Sequence, residues 1–264
     1  MDRTVTKIIY KIKNSMRKPI QKKEENIQRN SGDVSEKLTF NIQKISIELK
    51  CKNESQKKLV KLINENDMVL CSGPAGTGKT FVACAQALRI LKQDTKYTRI
   101  ILVKSVTELE GESIGFLKGD MADKMYNYTL SFLDNFHKLI GEDNTKRMQD
   151  MGLIEVLPLA YIRGRSIDNA IIIVDEAQNI SLKNMRSTMT RIGENSKMII
   201  TGDSKQIDIK NKRLSSLDTV VRVFDGKTGV GTMFFEIKDI VRSKIVMLIE
   251  EEFDKIEELD KNKK

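Results

Sequence analysis

Gly73-Pro74-Ala75-Gly76-Thr77-Gly78-Lys79-Thr80 matches the spacing G-x-x-x-x-G-K-[ST] at every fixed position, and its reading decides the fold. Just before it, Met68-Val69-Leu70-Cys71 reads as a short buried strand, and just after it Phe81 to Leu91 reads as an Ala-rich helix. A glycine turn between strand and helix points backbone N–H groups and the positive end of the helix dipole at an anion, so the stretch implies a phosphate cradle for a nucleotide. Gly73, Pro74, Ala75, Gly76, Thr77, Gly78, Lys79, Thr80 and Phe81 are its candidate binding residues. Lys79 would bring a point charge to the β- and γ-phosphates, and the Thr80 hydroxyl a ligand for Mg2+.

Working outward, apolar strands at about 68 to 71, 99 to 103, 170 to 174 and 197 to 201 alternate with helical stretches. Near-continuous aliphatic runs of this kind belong to a parallel sheet covered on both faces, so the expected fold is α/β with a mostly parallel sheet flanked by helices. The stretch from Lys238 to Leu259 places Ile240, Val241, Ile245, Leu248, Ile249, Phe253, Ile256 and Leu259 at helical spacing. It predicts a long C-terminal helix packed on the sheet or on a neighbouring subunit.

A phosphate loop alone suits a kinase, a GTPase, a transporter subunit or a helicase. The strand Ile171 to Val174 ends in Asp175-Glu176-Ala177-Gln178-Asn179, which narrows the choice. A carboxylate at the end of a buried strand can hold Mg2+, the role expected of Asp175. The next one, Glu176, can polarise the water that attacks a γ-phosphate, a group that a hydrolysing ATPase needs and a small-molecule kinase does not. The strand Met198 to Thr201 then delivers Gly202-Asp203-Ser204-Lys205-Gln206 to the carboxyl edge of the sheet. There Gln206 could sense the γ-phosphate or orient the water, with Asp203 helping to place it. Gln56, at the start of a helix leading into the first strand, could read the adenine edge through its donor and acceptor, or simply lie on the surface beside a helix cap.

The chain has 264 residues and a formal net charge of +9, enough length for one substantial core and a balance that suits an anionic partner or a mere compositional bias. Aromatic residues make up 5% and Trp is absent, which argues against a stacking platform for bases. Cys51, Cys71 and Cys84 form no C-x-x-C pair and His137 is the sole histidine, so a structural zinc site is excluded and reduced, buried thiols are expected. No apolar run is long enough for a membrane span or a signal core, so the expectation is a cytoplasmic protein without a membrane partner. Residues 1–50 carry a net charge of +6 and read as a basic extension. This extension would be partly disordered or form edge strands at Leu38 to Ile42 and Ile45 to Leu49, serving as an arm for a partner or as a solvated tail. Residues 51–264 read as the nucleotide domain.

Taken together, these motifs resemble the PhoH-like ATPases, a family built on a single RecA-like core related to superfamily 1 helicases. The resemblance also rests on Glu110 to Leu117, on Pro158 to Ser166 with Asp168-Asn169-Ala170, on Thr190-Arg191-Ile192-Gly193, on Gly202 to Asp208 and on Asp239-Ile240-Val241-Arg242. One departure is Lys104-Ser105-Val106, where the family pattern has Thr/Ser-Arg-Pro. The resemblance implies a RecA-like P-loop NTPase core and Mg2+-dependent ATP hydrolysis coupled to single-stranded RNA or DNA. With no room for a second RecA-like domain after Gln206, the arginines that stabilise the transferring phosphoryl group must come from elsewhere. The candidates are Arg191, Arg242, Arg163 and Arg165, donated across a homo-oligomeric ring, with a hexamer among the sizes left open. Lys79, Glu176, Gln206, Arg191 and Arg242 are thus the expected catalytic set, and Thr80 and Asp175 the metal ligands. The rival reading is a nucleotide-regulated switch in which turnover is incidental.

Overall fold

The computed structural model describes residues 41–104, 121–208 and 215–261. The segment Glu110 to Leu117, the departure at Ser105-Val106 and most of the basic extension lie outside the described residues. Six short segments form one parallel sheet: β1 (Met68–Ser72), β2 (Arg99–Lys104), β3 (Ile154–Pro158), β4 (Ala170–Asp175), β5 (Lys197–Gly202) and β6 (Val230–Phe234). Their order is β3-β2-β4-β5-β1-β6 and every pairing is parallel. The four strands expected from aliphatic runs are present. β3 and β6 join them at the edges, where a strand is buried less completely and its sequence alternates with polar residues such as Glu155 and Thr232.

The pleat sends alternate residues to opposite faces. Leu70, Ile101, Val103, Ile172, Val174, Met198 and Ile200 enter one core cluster with Met185, Met189, Leu217, Val220 and Val221, the inward residues of α5 (Leu182–Met189) and α6 (Leu217–Val223). The other face is covered by α1 (Glu54–Glu65), α2 (Lys79–Gln93) and α3 (Met121–Ile140), with α4 (Glu142–Asp150) beside β3. Val82, Ala83, Ala87 and Leu88 of α2 are fully buried there; small residues let this helix lie close to the strands it follows and precedes. The result is the α/β sandwich expected from the sequence, with the phosphate loop leaving an interior strand.

Two expectations are corrected. Ile45 to Leu49 is not an edge strand: the Ile45 carbonyl accepts from Lys92 Nζ at 2.8 Å and the Ile47 carbonyl from Arg89 at 3.4 Å. Side chains of α2 thus satisfy the backbone that a neighbouring strand would have paired. The C-terminal helix, α7, spans Lys244–Lys261 rather than beginning at Lys238. A 3-10 turn at Ile237–Asp239 is closed by a reciprocal cap between Glu236 and Asp239, and Val241 N–H donates to the Gly76 carbonyl at 3.0 Å. Those bonds commit residues 236–242 to a strap built around that turn, so the helix starts only beyond Ser243. Nor does the sheet cover its apolar face: Ile245, Leu248, Ile249, Phe253 and Ile256 are 48–61% exposed.

Cys71 on β1 and Cys84 on α2 are fully buried, whereas Cys51 is partly exposed. Burial pushes the Cys71 thiol up to about 12 and the Cys84 thiol well above its ordinary value. Reaction with a thiol-specific chromogenic disulfide at mildly alkaline pH should therefore titrate one fast cysteine in the native protein and all three only after unfolding.

Candidate functional site

The carboxyl ends of β1, β2, β4 and β5 meet along one sheet edge, where parallel α/β proteins take their ligands. A cleft of about 620 Å³ opens there. Its floor is the glycine turn. Gly78 caps α2 with φ +84° and no side chain to offer, so the first N–H groups of this fifteen-residue helix have no partner within it. Gly76, at φ +79°, is constrained twice, since a Cβ there would lie 2.7 Å from Cγ, Cδ and Nε of Arg242. Gly76, Gly78, Lys79, Thr80 and Phe81 all line the cleft.

Lys79 is buried, and its Nζ donates to the carbonyls of Gly73 at 2.8 Å and Pro74 at 2.7 Å. Burial lowers its pKa, with the carboxylates of Asp203, Asp175 and Glu176 pulling the other way. The ammonium is thus parked on the loop's own carbonyls, within reach of an incoming phosphate. Thr77 closes the loop by donating to the Pro74 carbonyl at 3.0 Å.

Asp175 stands at the end of β4, one strand removed from β1, and Thr80 Oγ1 reaches both of its oxygens at 3.1 Å. Thr201 of the intervening β5 donates to Oδ1 at 2.7 Å. A hydroxyl and a carboxylate are hard oxygen donors of the kind Mg2+ prefers, and that ion usually completes its shell with water and phosphate oxygens. Among the described residues no group of three or more His, Cys, Asp or Glu side chains is placed to hold a metal. The donor set of Thr80 and Asp175 fits Mg2+.

Glu176 follows with φ +54°, left-handed for a residue with a Cβ. Its carboxyl pKa is raised, first by burial and then by Asp175, while the hydrogen bond from Gln178 at 2.7 Å and the charge of Lys104 oppose the rise. Lys104, the family departure, pairs in register with Asp175 at the end of β2, so a lysine supplies positive charge at that strand end. Asp203 is buried and accepts Ala75 N–H at 2.7 Å through Oδ2, tying the β5 turn to the phosphate loop. Gln206 lines the cleft with an exposed side chain.

Gln56 is 4% exposed and already engaged: its Nε2 donates to the Thr77 carbonyl at 2.9 Å and its Oε1 accepts Lys52 N–H at 2.7 Å. Only one amide proton remains for a base edge, so in this structure it braces the phosphate loop. Arg242 lies over Gly76 and lines the same cleft. Arg191 does not reach it: its guanidinium bonds to the Ser187 carbonyl, Thr190 Oγ1 and the Arg165 carbonyl. Arg165 and Arg191 lie in the segments that lead into the amino ends of β4 and β5, whereas Arg163 donates to Asn184 Oδ1, in the first turn of α5, at 2.5 Å.

Sequence reasoning quoted Asp239 in the family resemblance but gave it no role. It is 5% exposed, accepts from Ser55 Oγ at 2.8 Å and from Glu236 N–H at 2.9 Å, and its carbonyl accepts from Asn53 at 2.9 Å. One buried carboxylate thus fastens the strap to the start of α1, whose Gln56 holds the loop. The local signals are the E-x-x-D spacing from Glu236 and the place of Asp239 at the head of the Asp239 to Arg242 stretch.

A glycine turn opening a helix between parallel strands, with an acidic strand end facing its threonine, defines a RecA-like P-loop nucleotide-binding core. The family model "PhoH-like protein" matches residues 48–254, and the chain belongs to that family. A PhoH-like protein of Bacillus subtilis is 40% identical over 220 residues, 83% of this chain and 68% of the relative; Protein PhoH of Escherichia coli K12 is 34% identical over 74% of this chain and 55% of its own. The chain thus spans between about half and two thirds of the relatives it matches. Among solved structures, a large terminase from a thermophilic bacteriophage aligns at 13% identity over 73% of this chain and 48% of its own, with a TM-score of 0.42.

Replacing Asp239 by Ala should lower unfolding free energy by about 1–3 kcal/mol, because it strands the Ser55 and Glu236 donors. Urea denaturation measures this, and an unchanged midpoint would show that the strap is not anchored here.

Proposed function

We propose that this chain binds Mg2+-ATP in the β1–β4–β5 cleft and hydrolyses it, with turnover coupled as an oligomer to remodelling of single-stranded RNA or DNA. The observation that carries the reading is the meeting of Thr80 with both oxygens of Asp175, with Glu176 the next residue along. Amides of the glycine turn and Lys79 would hold the β- and γ-phosphates, and Thr80 and Asp175 the ion. When bound, Mg2+ would supply neutralisation of phosphate charge. Glu176 would take a proton from the attacking water as its oxygen bonds to the γ-phosphorus and the bridging oxygen leaves with ADP. The raised pKa of Glu176 suits a group that must accept that proton. Gln206 would face the γ-phosphate or the water.

Arg242 is the arginine available from the same chain. Arg163, Arg165 and Arg191, none of which lines the cleft, are suited to serve a neighbour in a ring. The nucleic-acid half of the reading is supported by the net charge of +9 and by Lys50, Lys52 and Lys138 at the cleft. A cytoplasmic location accords with the finding that no described helix is long and apolar enough to cross a membrane. The switch reading has its own support, because the strap that touches Gly76 runs directly into α7 and its uncovered apolar face.

Lys79→Ala should remove nucleotide binding, whereas Glu176→Gln should bind ATP normally and hydrolyse it about 10²-fold more slowly or worse. Fluorescent-nucleotide titration and phosphate release separate the two, and equal loss of binding would contradict the division of roles. Stimulation of the wild-type rate by single-stranded RNA supports coupling; slow turnover that ignores it supports the switch. A rate per subunit that stays constant on dilution into monomers would rule out a site completed by a neighbour.

A further inference from the structure

Gln178 is fully buried and does not line the cleft. Its Nε2 donates to Glu176 Oε2 at 2.7 Å and to the Gln206 carbonyl at 2.9 Å, and its Oε1 accepts Asp203 N–H at 2.9 Å. One amide therefore joins three residues on two different turns. A buried polar side chain is retained at no cost only when its hydrogen bonds are made, and both amide protons and the carbonyl are used here.

Two further features fit the space around it. Gly202 passes so close that a Cβ there would lie 2.6 Å from Gln178 Oε1 and 2.6 Å from Leu217 Cδ2. Glu176 holds φ +54° just two residues earlier, a conformation that persists when surrounding contacts over-determine it. The next residue, Asn179, repeats the link: its Nδ2 donates to Asp208 Oδ2 at 3.2 Å and its Oδ1 accepts Asp208 N–H at 2.8 Å. The turn after β4 and the turn after β5 are thus joined side by side.

We propose that Gln178 is the positioning residue of the hydrolytic step, fixing the Glu176 carboxylate to the Gln206 turn so that base and γ-phosphate-facing turn move as one piece. By occupying Oε2 it leaves Oε1 for the water. Because Asp203 of the same turn also accepts Ala75 N–H from the phosphate loop, a shift of that loop on nucleotide binding reaches Glu176 through two hydrogen-bonded residues. The inference rests on the ATPase reading given above.

Gln178→Glu keeps the size and the acceptor for Asp203 N–H but loses both donations, and Gln178→Leu loses all three bonds. Each should bind a fluorescent ATP analogue within about threefold of wild type while kcat falls on the order of 10²-fold. The deciding measurement is a cycle with Glu176→Gln, read by single-turnover hydrolysis of radiolabelled ATP. With the base gone there is nothing left to position, so Gln178→Leu should then change the rate by less than about twofold. An equal fractional loss in both backgrounds would make Gln178 merely structural and overturn the proposal, as would a Gln178→Glu variant with wild-type kcat. Thermal melting identifies an unfolded Leu variant, in which case the Glu variant carries the cycle. A wild-type protein that binds ATP without hydrolysing it overturns the ATPase reading itself, an outcome distinct from an active wild type whose Gln178 variants are equally active.

Discussion

The Thr80 hydroxyl and the Asp175 carboxylate meet at 3.1 Å although β5 runs between the strands that precede and carry them. That contact forms only if β1, β5 and β4 are adjacent, parallel and in register, so that their carboxyl ends share one edge. The sheet order, the helices that bury both its faces and the glycine turn that starts α2 all serve it. Thr201, on the strand between, fills the gap by donating to the same carboxylate. A sheet of this kind places its polar chemistry at strand ends because its interior residues are apolar on both faces.

Around that contact, the phosphate loop is held by three separated parts of the chain. Asp203 takes the Ala75 amide, Gln56 grips the Thr77 carbonyl, and Val241 N–H takes the Gly76 carbonyl. Two of these bonds use carbonyls, which a phosphate does not need, and only the Ala75 amide is taken up, so the amides at the start of α2 stay open to it. A loop pre-formed in this way loses less conformational entropy when a ligand arrives. The strap also places Arg242 above the loop and runs directly into α7, so it joins that helix to the loop.

Much of this was legible in the sequence because the chemistry is local. The glycine turn, Asp175 and Glu176 sit at fixed offsets from aliphatic runs, and parallel packing makes such runs conspicuous. What was not legible depends on residues far apart in the chain. The bonds from Asn53 and Ser55 to Asp239 span about 185 positions, and no periodicity announces them. Gln178 stood inside a recognised box, but its role depends on the β5 turn lying alongside. The start of α7 was misplaced because Ile240 and Val241 fit the helical spacing, while the Glu236–Asp239 cap and the Val241 bond to Gly76 hold that stretch out of the helix. Gln56 showed its position but not its partners, and Arg191 gave no sign of lying away from the cleft.

The central claim is that loop, β5 turn and strap form one cradle around the phosphates of ATP. Amide hydrogen exchange of the full chain, with and without Mg2+ and a non-hydrolysable ATP analogue, tests it most directly. The account predicts joint slowing at residues 73–81, 203–206 and 236–242. Slowing confined to the phosphate loop, or none at all, would contradict it.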